Sequence, residues 1–262
     1  MADLTVIFGA TGGLGTVVVD AFAKRGDRVI AVARSRSGVS ELAAKYPVSP
    51  SPSGGGQVTS PSPFGGGQVT SPSPFGGGQG GGVTGDTADM TSRQDVDDLW
   101  ERIDHVGVPR WVVNTTGGYR GGKVVDSTPD DFTAMMDLNL GTTWWSCRAA
   151  ARRMQIGQGG GIVNVASRSA LIAEPGAAAY AIAKAGVIKL TEVLAAELKS
   201  SGVRVNVVVP AVIDTPTNRK SLPEKLMQKA VAPAEIAAVI LYLCSDAAAA
   251  ITGAVVPVYG KF

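Results

Sequence analysis

Short, continuously apolar runs alternate with helix-like runs along most of the 262-residue chain. The first pair is LTVIFGA at 4–10 followed by LGTVVVDAFAKRG at 14–26, and the second is RVIAVAR at 28–34 followed by GVSELAAKY at 38–46. Strands that are apolar throughout are buried on both faces, which is typical of a parallel sheet covered by helices on both sides. The alternation therefore predicts an α/β, doubly wound fold.

The same alternation continues to the last residues of the sequence. Further strands are predicted at 81–86, 110–116, 161–167, 203–210 and 254–260, and further helices at 92–103, 129–154, 176–200 and 233–245. The helix at 129 is entered through Thr128 as N-cap and Pro129 as its first residue. We therefore expect one domain over 1–262 with a parallel sheet of about seven strands.

An 11-residue tandem repeat interrupts the pattern between 48 and 82. SPSPSGGGQVT at 49–59 recurs as SPSPFGGGQVT at 60–70 and begins again at 71. This Pro/Gly/Ser-rich stretch has almost no apolar side chains to offset the entropy of ordering it. It predicts a disordered loop between the second helix and the third strand, at the amino edge of the sheet. An insertion by repeat slippage is favoured over a functional tether.

Composition and charge exclude several classes of function. The formal net charge of +2 provides no general attraction to nucleic acid or membranes, and no uninterrupted apolar stretch is long enough to span a bilayer. Cys147 and Cys244 belong to no metal-spaced cluster, and the single His105 cannot build a multi-histidine site. We expect a cytoplasmic protein without a metal, with two thiols that pack as small apolar groups.

A glycine-rich turn, GATGGLG, joins the first strand to the first helix. Gly9, Gly13 and Gly15 leave backbone amides and the helix N-terminus open to a pyrophosphate, as in dinucleotide-binding domains of the Rossmann type. The second strand ends in AVARSRS, with Arg34 where an acidic residue would bind the ribose hydroxyls of NAD. A guanidinium suits a 2′-phosphate, so NADP(H) is favoured and NAD(H) is the alternative.

Tyr180 and Lys184 stand four positions apart in the plain helical stretch AAAYAIAKAGV. At this spacing their side chains share one face of the helix, one turn apart. Taken alone, the pair is compatible with an ordinary amphipathic helix and a snorkelling lysine.

The ordered set of motifs resembles the short-chain dehydrogenase/reductase family of classical type over almost the whole chain outside 48–82. The glycine turn is similar to the family's TGxxxGxG, with Phe8 in the threonine position, and VNTTG at 113–117 stands where the family has NNAG. DLNLG, IVNVAS and YAIAK supply the remaining motifs, and Ser167 precedes Tyr180 by the family's spacing of 13 residues. VPAVIDTP at 209–216 resembles the family's PGxxxTP, with Ala211 in place of its glycine.

The resemblance implies a role for each matching residue. Tyr180 is the expected proton donor, Ser167 orients the substrate oxygen, Lys184 holds the nicotinamide ribose, and Asn139 anchors a water that resupplies the proton. Cofactor contacts are expected from Gly9, Thr11, Gly13, Leu14, Gly15, Arg34, Asp86, Asn114, Gly117, Tyr180, Lys184, Pro210, Ile213 and Thr215. For Asp86, which is expected at the adenine, capping of the following turn is the alternative. The family also implies a homodimer or homotetramer built from the helices that hold Asn139 and Tyr180.

The expected reaction is hydride transfer between a nicotinamide and a small carbonyl or alcohol substrate, which needs an acid that works near neutral pH. A free tyrosine has a pKa of about 10, and one ammonium about 4 Å away supplies roughly 4 kcal/mol at an effective dielectric near 20. Lys184 is therefore expected to lower the pKa of Tyr180.

Two alternatives stay open. GGYRGG at 117–122 and DTPTNRKSLPE at 214–224 resemble loops of quinoid dihydropteridine reductase, a member of the same superfamily. Ser167 and Arg34 argue against that enzyme, which typically lacks the serine and uses NADH. The second alternative is a cofactor-binding sensor without catalysis, which the complete set of Ser167, Tyr180 and Lys184 disfavours.

Overall fold

Seven parallel strands form one sheet in the computed structural model, which describes residues 2–48, 81–157 and 159–262. Their order across the sheet is β3-β2-β1-β4-β5-β6-β7. The strands are β1 Leu4–Phe8, β2 Arg28–Ala33, β3 Gly82–Thr87, β4 Trp111–Asn114, β5 Gly160–Val165, β6 Val203–Pro210 and β7 Val255–Val258. This is the topology of a doubly wound Rossmann-type fold, which confirms the predicted fold class.

Helices connect the strands and cover both faces of the sheet. They are α1 Gly15–Arg25, α2 Arg36–Lys45, α3 Arg93–Asp104, α4 Pro129–Met135, α5 Thr142–Met154, α6 Ala178–Glu197, α7 Pro216–Ser221, α8 Glu224–Met227 and α9 Pro233–Leu243. A π-helical turn, Met136–Gly141, joins α4 to α5. Among the described residues, no helix is both long and apolar enough to cross a membrane.

The core lies in two layers, one on each face of the sheet. One layer packs Trp100 of α3 and Met154 of α5 beneath the strands. The other packs Phe22 of α1 against Ile240 of α9. Every residue of β1 is buried, as expected for a strand that is covered from both sides.

The element bounds agree with the sequence-based predictions to within one to three residues, with two differences. The single helix predicted at 129–154 contains the π-helical turn, and periodicity does not reveal that turn because the apolar pattern runs through it. The short helices α7 and α8 were not predicted separately, since six and four residues are too few to show a helical period.

The two ends of the repeat segment lie side by side. A Cβ placed on Gly82 would lie 2.7 Å from Cα of Val48, and the Gly82 amide donates to the carbonyl of Asp27, just before β2. The chain therefore leaves the end of α2 close to the point where it enters β3, at the amino edge of the sheet. Residues 49–80 themselves lie outside the described part, and their expected disorder stays a prediction.

Candidate functional site

The sheet changes direction of winding between β1 and β4, which lie side by side although β2 and β3 separate them in sequence. In open α/β sheets such a switch point leaves a crevice at the carboxyl ends of the strands. A cleft lies here, lined by residues that follow β1, β2, β3 and β4, among them Gly9, Thr11, Arg34, Asp89 and Thr116. Four of the predicted cofactor residues line this cleft, namely Gly9, Thr11, Arg34 and Gly117.

The glycine turn admits no side chain at two of its positions. Gly9 has a φ of 75°, and a Cβ there would lie 2.7 Å from the Thr116 amide nitrogen. A Cβ on Gly15 would lie 2.1 Å from the Gly9 carbonyl oxygen. Only glycine allows the backbone to turn this tightly into α1, so a ligand at this turn meets main-chain amides.

The same turn contacts the segment that follows β6. A Cβ on Gly13 would lie 2.7 Å from Cγ2 of Thr215, which is also the N-cap of α7. Pro210 ends β6, and Ile213 forms a single parallel bridge with Val231. Leu14 is buried at the start of α1, so it offers a ligand mainly its backbone.

Positive charge lies where the second strand ends. Arg34 is exposed and lines the cleft beside Ser35, whose hydroxyl caps α2 by accepting from the Gly38 amide at 3.2 Å. An anionic group here meets a guanidinium and the N-terminus of a 10-residue helix. This arrangement suits the 2′-phosphate expected from the sequence.

Asp86 lies at the end of β3 but is held away from the cleft. Its carboxylate accepts from Arg102 of α3 at 2.9 and 3.1 Å, and the Thr87 amide donates to it at 2.7 Å. Asp89 lines the cleft instead, with its carboxylate bonded to both the amide and the hydroxyl of Thr91. Asp89 thus lines the cleft and Asp86 does not, and the contact of Asp86 with an adenine stays a prediction.

The Asn114 side chain is buried under the active-site edge. It accepts from Ser146 at 2.6 Å and donates to Asn164 at 2.8 Å, and Asn164 in turn donates to Thr191 at 2.9 Å. This chain of bonds joins β4, β5, α5 and α6. The side chain is thereby committed to the protein, and only the backbone of Asn114 is left for a cofactor contact.

Tyr180 and Ser167 come together at the carboxyl end of β5. Ser167 lies two residues after β5, and Tyr180 lies in the first turn of α6. Ser167 Oγ lies 2.9 Å from Ser169 Oγ, and the Ser167 hydroxyl acts on the Tyr180 phenol and lowers its pKa. That both hydroxyls bind one substrate oxygen stays a prediction, with which this arrangement is compatible.

Lys184 is buried one helical turn further along α6. Its ammonium donates to the Val165 carbonyl at 2.9 Å, and a Cβ on Gly117 would lie 3.1 Å from Nζ. An ammonium has three donors, and this one bond leaves room for hydroxyl acceptors. A nicotinamide ribose fits this donor set, and glycine at 117 keeps the approach to Nζ open.

The electrostatics of the pair differ from the expectation. Burial raises the pKa of Tyr180 above its ordinary value, and the hydrogen bond with Ser167 offsets this only in part. Burial also lowers the pKa of Lys184 to about 8. The predicted lowering of the Tyr180 pKa by Lys184 is wrong for this structure, because the ammonium lies 5.9 Å from the ring centroid and desolvation is the larger effect.

Asn139 lies in the π-helical turn and is fully buried. Its amide donates to the Gly118 carbonyl at 3.0 Å and to the Met135 carbonyl at 3.1 Å, and its Oδ1 accepts from the Gly118 amide. The wider π turn aims this side chain at the loop after β4. Asn139 thus holds the segment that passes over Lys184.

Tyr119 was not among the predicted site residues, yet its ring lies against Tyr180. The ring centroids are 5.2 Å apart at an interplanar angle of 84°. The only sequence signal was an aromatic residue inside the glycine-rich segment GGYRGG. No local pattern shows which way such a loop folds.

The thiols and the histidine lie elsewhere. Cys147 and Cys244 are buried and unpaired, and burial raises the pKa of both to about 12. His105 is exposed at the end of α3. Cys244 packs in the apolar core as expected, whereas Cys147 Sγ also donates to Asn164 Oδ1 at 3.3 Å and accepts from Asn114 at 3.4 Å.

A cleft at the switch point of a Rossmann-type sheet, beside the hydroxyls of Ser167 and Tyr180 and the buried Lys184 ammonium, is typical of an oxidoreductase that binds a dinucleotide. The family model described as "Enoyl-(Acyl carrier protein) reductase" matches residues 79–260. D-threitol dehydrogenase of Mycolicibacterium smegmatis is 31% identical over 99% of this chain and 92% of its own length. A 3-oxoacyl-[acyl-carrier-protein] reductase of Pseudomonas aeruginosa is 29% identical over 98% of this chain and 96% of its own.

Solved structures show the same likeness. A protein described as a "short chain dehydrogenase/reductase family protein" superposes with a TM-score of 0.81 and 27% identity, covering 99% of this chain and 97% of that one. The chain belongs to the short-chain dehydrogenase/reductase family, whose members bind NAD(P) and act on alcohol, carbonyl or ketoacyl groups. The predicted family is thereby confirmed.

Proposed function

We propose that the protein is an NADP(H)-dependent oxidoreductase that interconverts a small-molecule carbonyl compound and its alcohol, with Tyr180 as proton donor. The observation that carries the proposal is the grouping around Tyr180: the Ser167 hydroxyl acts on the phenol, and the buried Lys184 ammonium lies one helical turn further along α6. Each group lies at the carboxyl edge of the sheet, where a ligand of this fold binds.

When bound, NADPH would supply a hydride to the carbonyl carbon, and the carbonyl oxygen would take up the electron pair of its π bond. Tyr180 Oη then delivers its proton to that oxygen, and Ser167 donates a hydrogen bond that stabilises the developing charge. The raised pKa of Tyr180 keeps it protonated at neutral pH, which favours the direction of reduction. Oxidation of an alcohol would require the phenolate and therefore a higher pH.

Lys184 and the glycine turn would hold the cofactor. The ammonium faces the space beside Gly117, where it can donate to ribose hydroxyls. The amides at Gly9 and Gly13 and the N-terminus of α1 would receive the pyrophosphate, and Thr215 and Ile213 would lie at the carboxamide. Lys184 thus orients the ring relative to Tyr180 without touching the reacting oxygen.

The preference for NADP(H) rests on Arg34. Its exposed guanidinium at the cleft and the N-terminus of α2 form a site for a phosphate group. NAD(H) has no charge at this position and would gain less from it.

The named relatives act on a sugar alcohol and on 3-oxoacyl groups carried by acyl carrier protein. They do not favour the dihydropterin or silent-sensor alternatives. A carbonyl or alcohol substrate is common to both relatives, and we extend only that to this chain.

Nicotinamide absorbance tests the function directly. The purified protein is mixed with NADPH or NADH and a panel of ketones, aldehydes and quinonoid dihydropterin. We expect carbonyl-dependent oxidation of NADPH, and a loss of most turnover in Tyr180→Phe with NADPH affinity unchanged. A Tyr180→Phe variant with wild-type kcat would refute the assignment of the proton donor, and dihydropterin turnover far above every carbonyl would refute the substrate class.

We further propose a cytoplasmic homodimer or homotetramer assembled through α5 and α6. Ile182 and Val193 are exposed and 11 residues apart, about three turns, so they share one face of α6. Trp144 is exposed on α5. Light scattering after gel filtration measures the mass of the wild type and of Trp144→Glu. A monomeric wild type, or an oligomer whose mass is the same in Trp144→Glu, contradicts this interface.

A further inference from the structure

Tyr119 is an exposed aromatic side chain at the candidate active site. Its relative exposure is 64%, although its ring edge meets the ring of Tyr180 at a centroid distance of 5.2 Å. An aromatic ring exposed beside a candidate reacting group is within reach of a ligand that occupies the site.

The loop that carries Tyr119 is tied down on both sides of it. Gly118 is held by Asn139, and the Gly122 amide donates to the Gly176 carbonyl at 2.8 Å, just before α6. A Cβ on Gly121 would lie 2.9 Å from the Tyr119 hydroxyl. The glycines therefore leave space for the ring, and two anchors set its position relative to Tyr180.

Exposed apolar residues follow β4 and β5, namely Val124, Val125, Leu171 and Ile172. The charged side chains on the segments after β4, β5 and β6 include three that are already paired: Arg120 with Asp131, Arg168 with Glu174, and Arg219 with Asp214. The four apolar side chains offer no hydrogen bond to a substrate hydroxyl, and the three paired guanidinium groups are already bonded to carboxylates.

We propose that Tyr119 is a specificity-determining residue whose ring forms one wall of the substrate site and selects carbonyls attached to a flat aromatic or conjugated group. This inference rests on the proposed carbonyl reduction and adds its substrate class. An aromatic ring offered to a flat substrate makes a further ring contact of the kind that Tyr119 makes with Tyr180.

The test compares acetophenone, cyclohexyl methyl ketone and dihydroxyacetone as acceptors for NADPH. The first two share the reacting ketone and differ in whether the attached ring is flat. We expect wild type to prefer acetophenone to dihydroxyacetone. Tyr119→Ala should lower kcat/KM for acetophenone by about 2- to 12-fold more than for the saturated ketone, mainly through KM.

Three controls accompany this variant. Tyr119→Phe keeps the ring and should stay within about twofold of wild type. Tyr242→Ala removes another exposed tyrosine, at the end of α9 near the amino edge of the sheet, and should change nothing. NADPH affinity, measured by fluorescence titration, should be equal in all variants and reports that each is folded.

The outcomes separate the two proposals. Equal losses for acetophenone and the saturated ketone, or none, overturn the role of Tyr119 while carbonyl reduction stands. A wild-type preference for dihydroxyacetone overturns the substrate class in the same way. No turnover of any carbonyl despite NADPH binding overturns both proposals.

Discussion

Replacing Lys184 with methionine should stabilise the fold and abolish its function. The side chain is 4% exposed, and burial lowers its pKa from 10.5 to about 8. This difference corresponds to about 3 kcal/mol by which the folded state disfavours the ammonium at neutral pH. Methionine loses the bond to the Val165 carbonyl, which costs about 1 kcal/mol. A net gain of about 2 kcal/mol in the free energy of unfolding is expected.

The size of the stabilisation by Lys184→Met depends on pH. Below pH about 8 the ammonium is charged in both the folded and the unfolded state, so the full penalty applies to wild type. Between about 8 and 10.5 the folded state releases its proton while the unfolded chain keeps it, and wild type gains stability as pH rises. The advantage of Lys184→Met should therefore be constant below pH 8 and shrink above it.

Chemical denaturation at pH 7, 8, 9 and 10 measures this difference, and calorimetry should show a Tm about 4 to 8 °C higher for the variant at pH 7. NADPH binding and turnover should fall strongly. Lys189→Met, on the exposed side of the same helix, is the matched control and should change stability by less than about 0.5 kcal/mol at every pH. A Lys184→Met variant that is less stable than wild type at pH 7, or whose gain does not shrink by pH 10, refutes the reasoning.

Other perturbations test the cofactor site and the repeat. Arg34→Ala should weaken NADPH by about 1.5 to 3 kcal/mol and NADH far less, in parallel titrations; equal losses contradict the 2′-phosphate site. Gly117→Ala would place a Cβ 2.8 Å from Asn139 Oδ1 and 3.1 Å from Lys184 Nζ, so kcat/KM should fall. Gly122→Ala is the control and should be near neutral, because its Cβ would meet only Ser127 Oγ, at 3.4 Å. Deleting 49–80 should leave steady-state kinetics unchanged, because Val48 and Gly82 already meet at the edge opposite the site; a large loss of kcat/KM would reveal a role for the repeat.

Local periodicity and spacing determined the fold and much of the site. Apolar runs such as LTVIFGA determine buried strands because only a sheet covered on both faces hides them completely. The four-residue spacing of Tyr180 and Lys184 places both on one face of a helix wherever that helix packs. Ser167, two residues after β5, lies at the same edge because the carboxyl ends of parallel strands share one edge of the sheet.

Tertiary structure decided which of two nearby aspartates, Asp86 or Asp89, lines the cleft. Asp86 and Asp89 are three residues apart at the end of β3, and the sequence favoured the first. The pairing of β3 and the approach of α3 give Asp86 to Arg102 and leave Asp89 at the cleft. Such a choice depends on a strand end and a helix contact that no local pattern encodes.

The sequence alone also did not predict the pKa directions of Tyr180 and Lys184 or the contact between Tyr119 and Tyr180. The pKa of Lys184 and Tyr180 follows from how much water the packed helices exclude, so distance along the helix could not predict its direction. Tyr119 reaches Tyr180 because Asn139 and Gly176 hold two ends of one loop from separate parts of the chain. Contacts of this kind join residues far apart in sequence, and they exist only once the sheet and its helices have assembled.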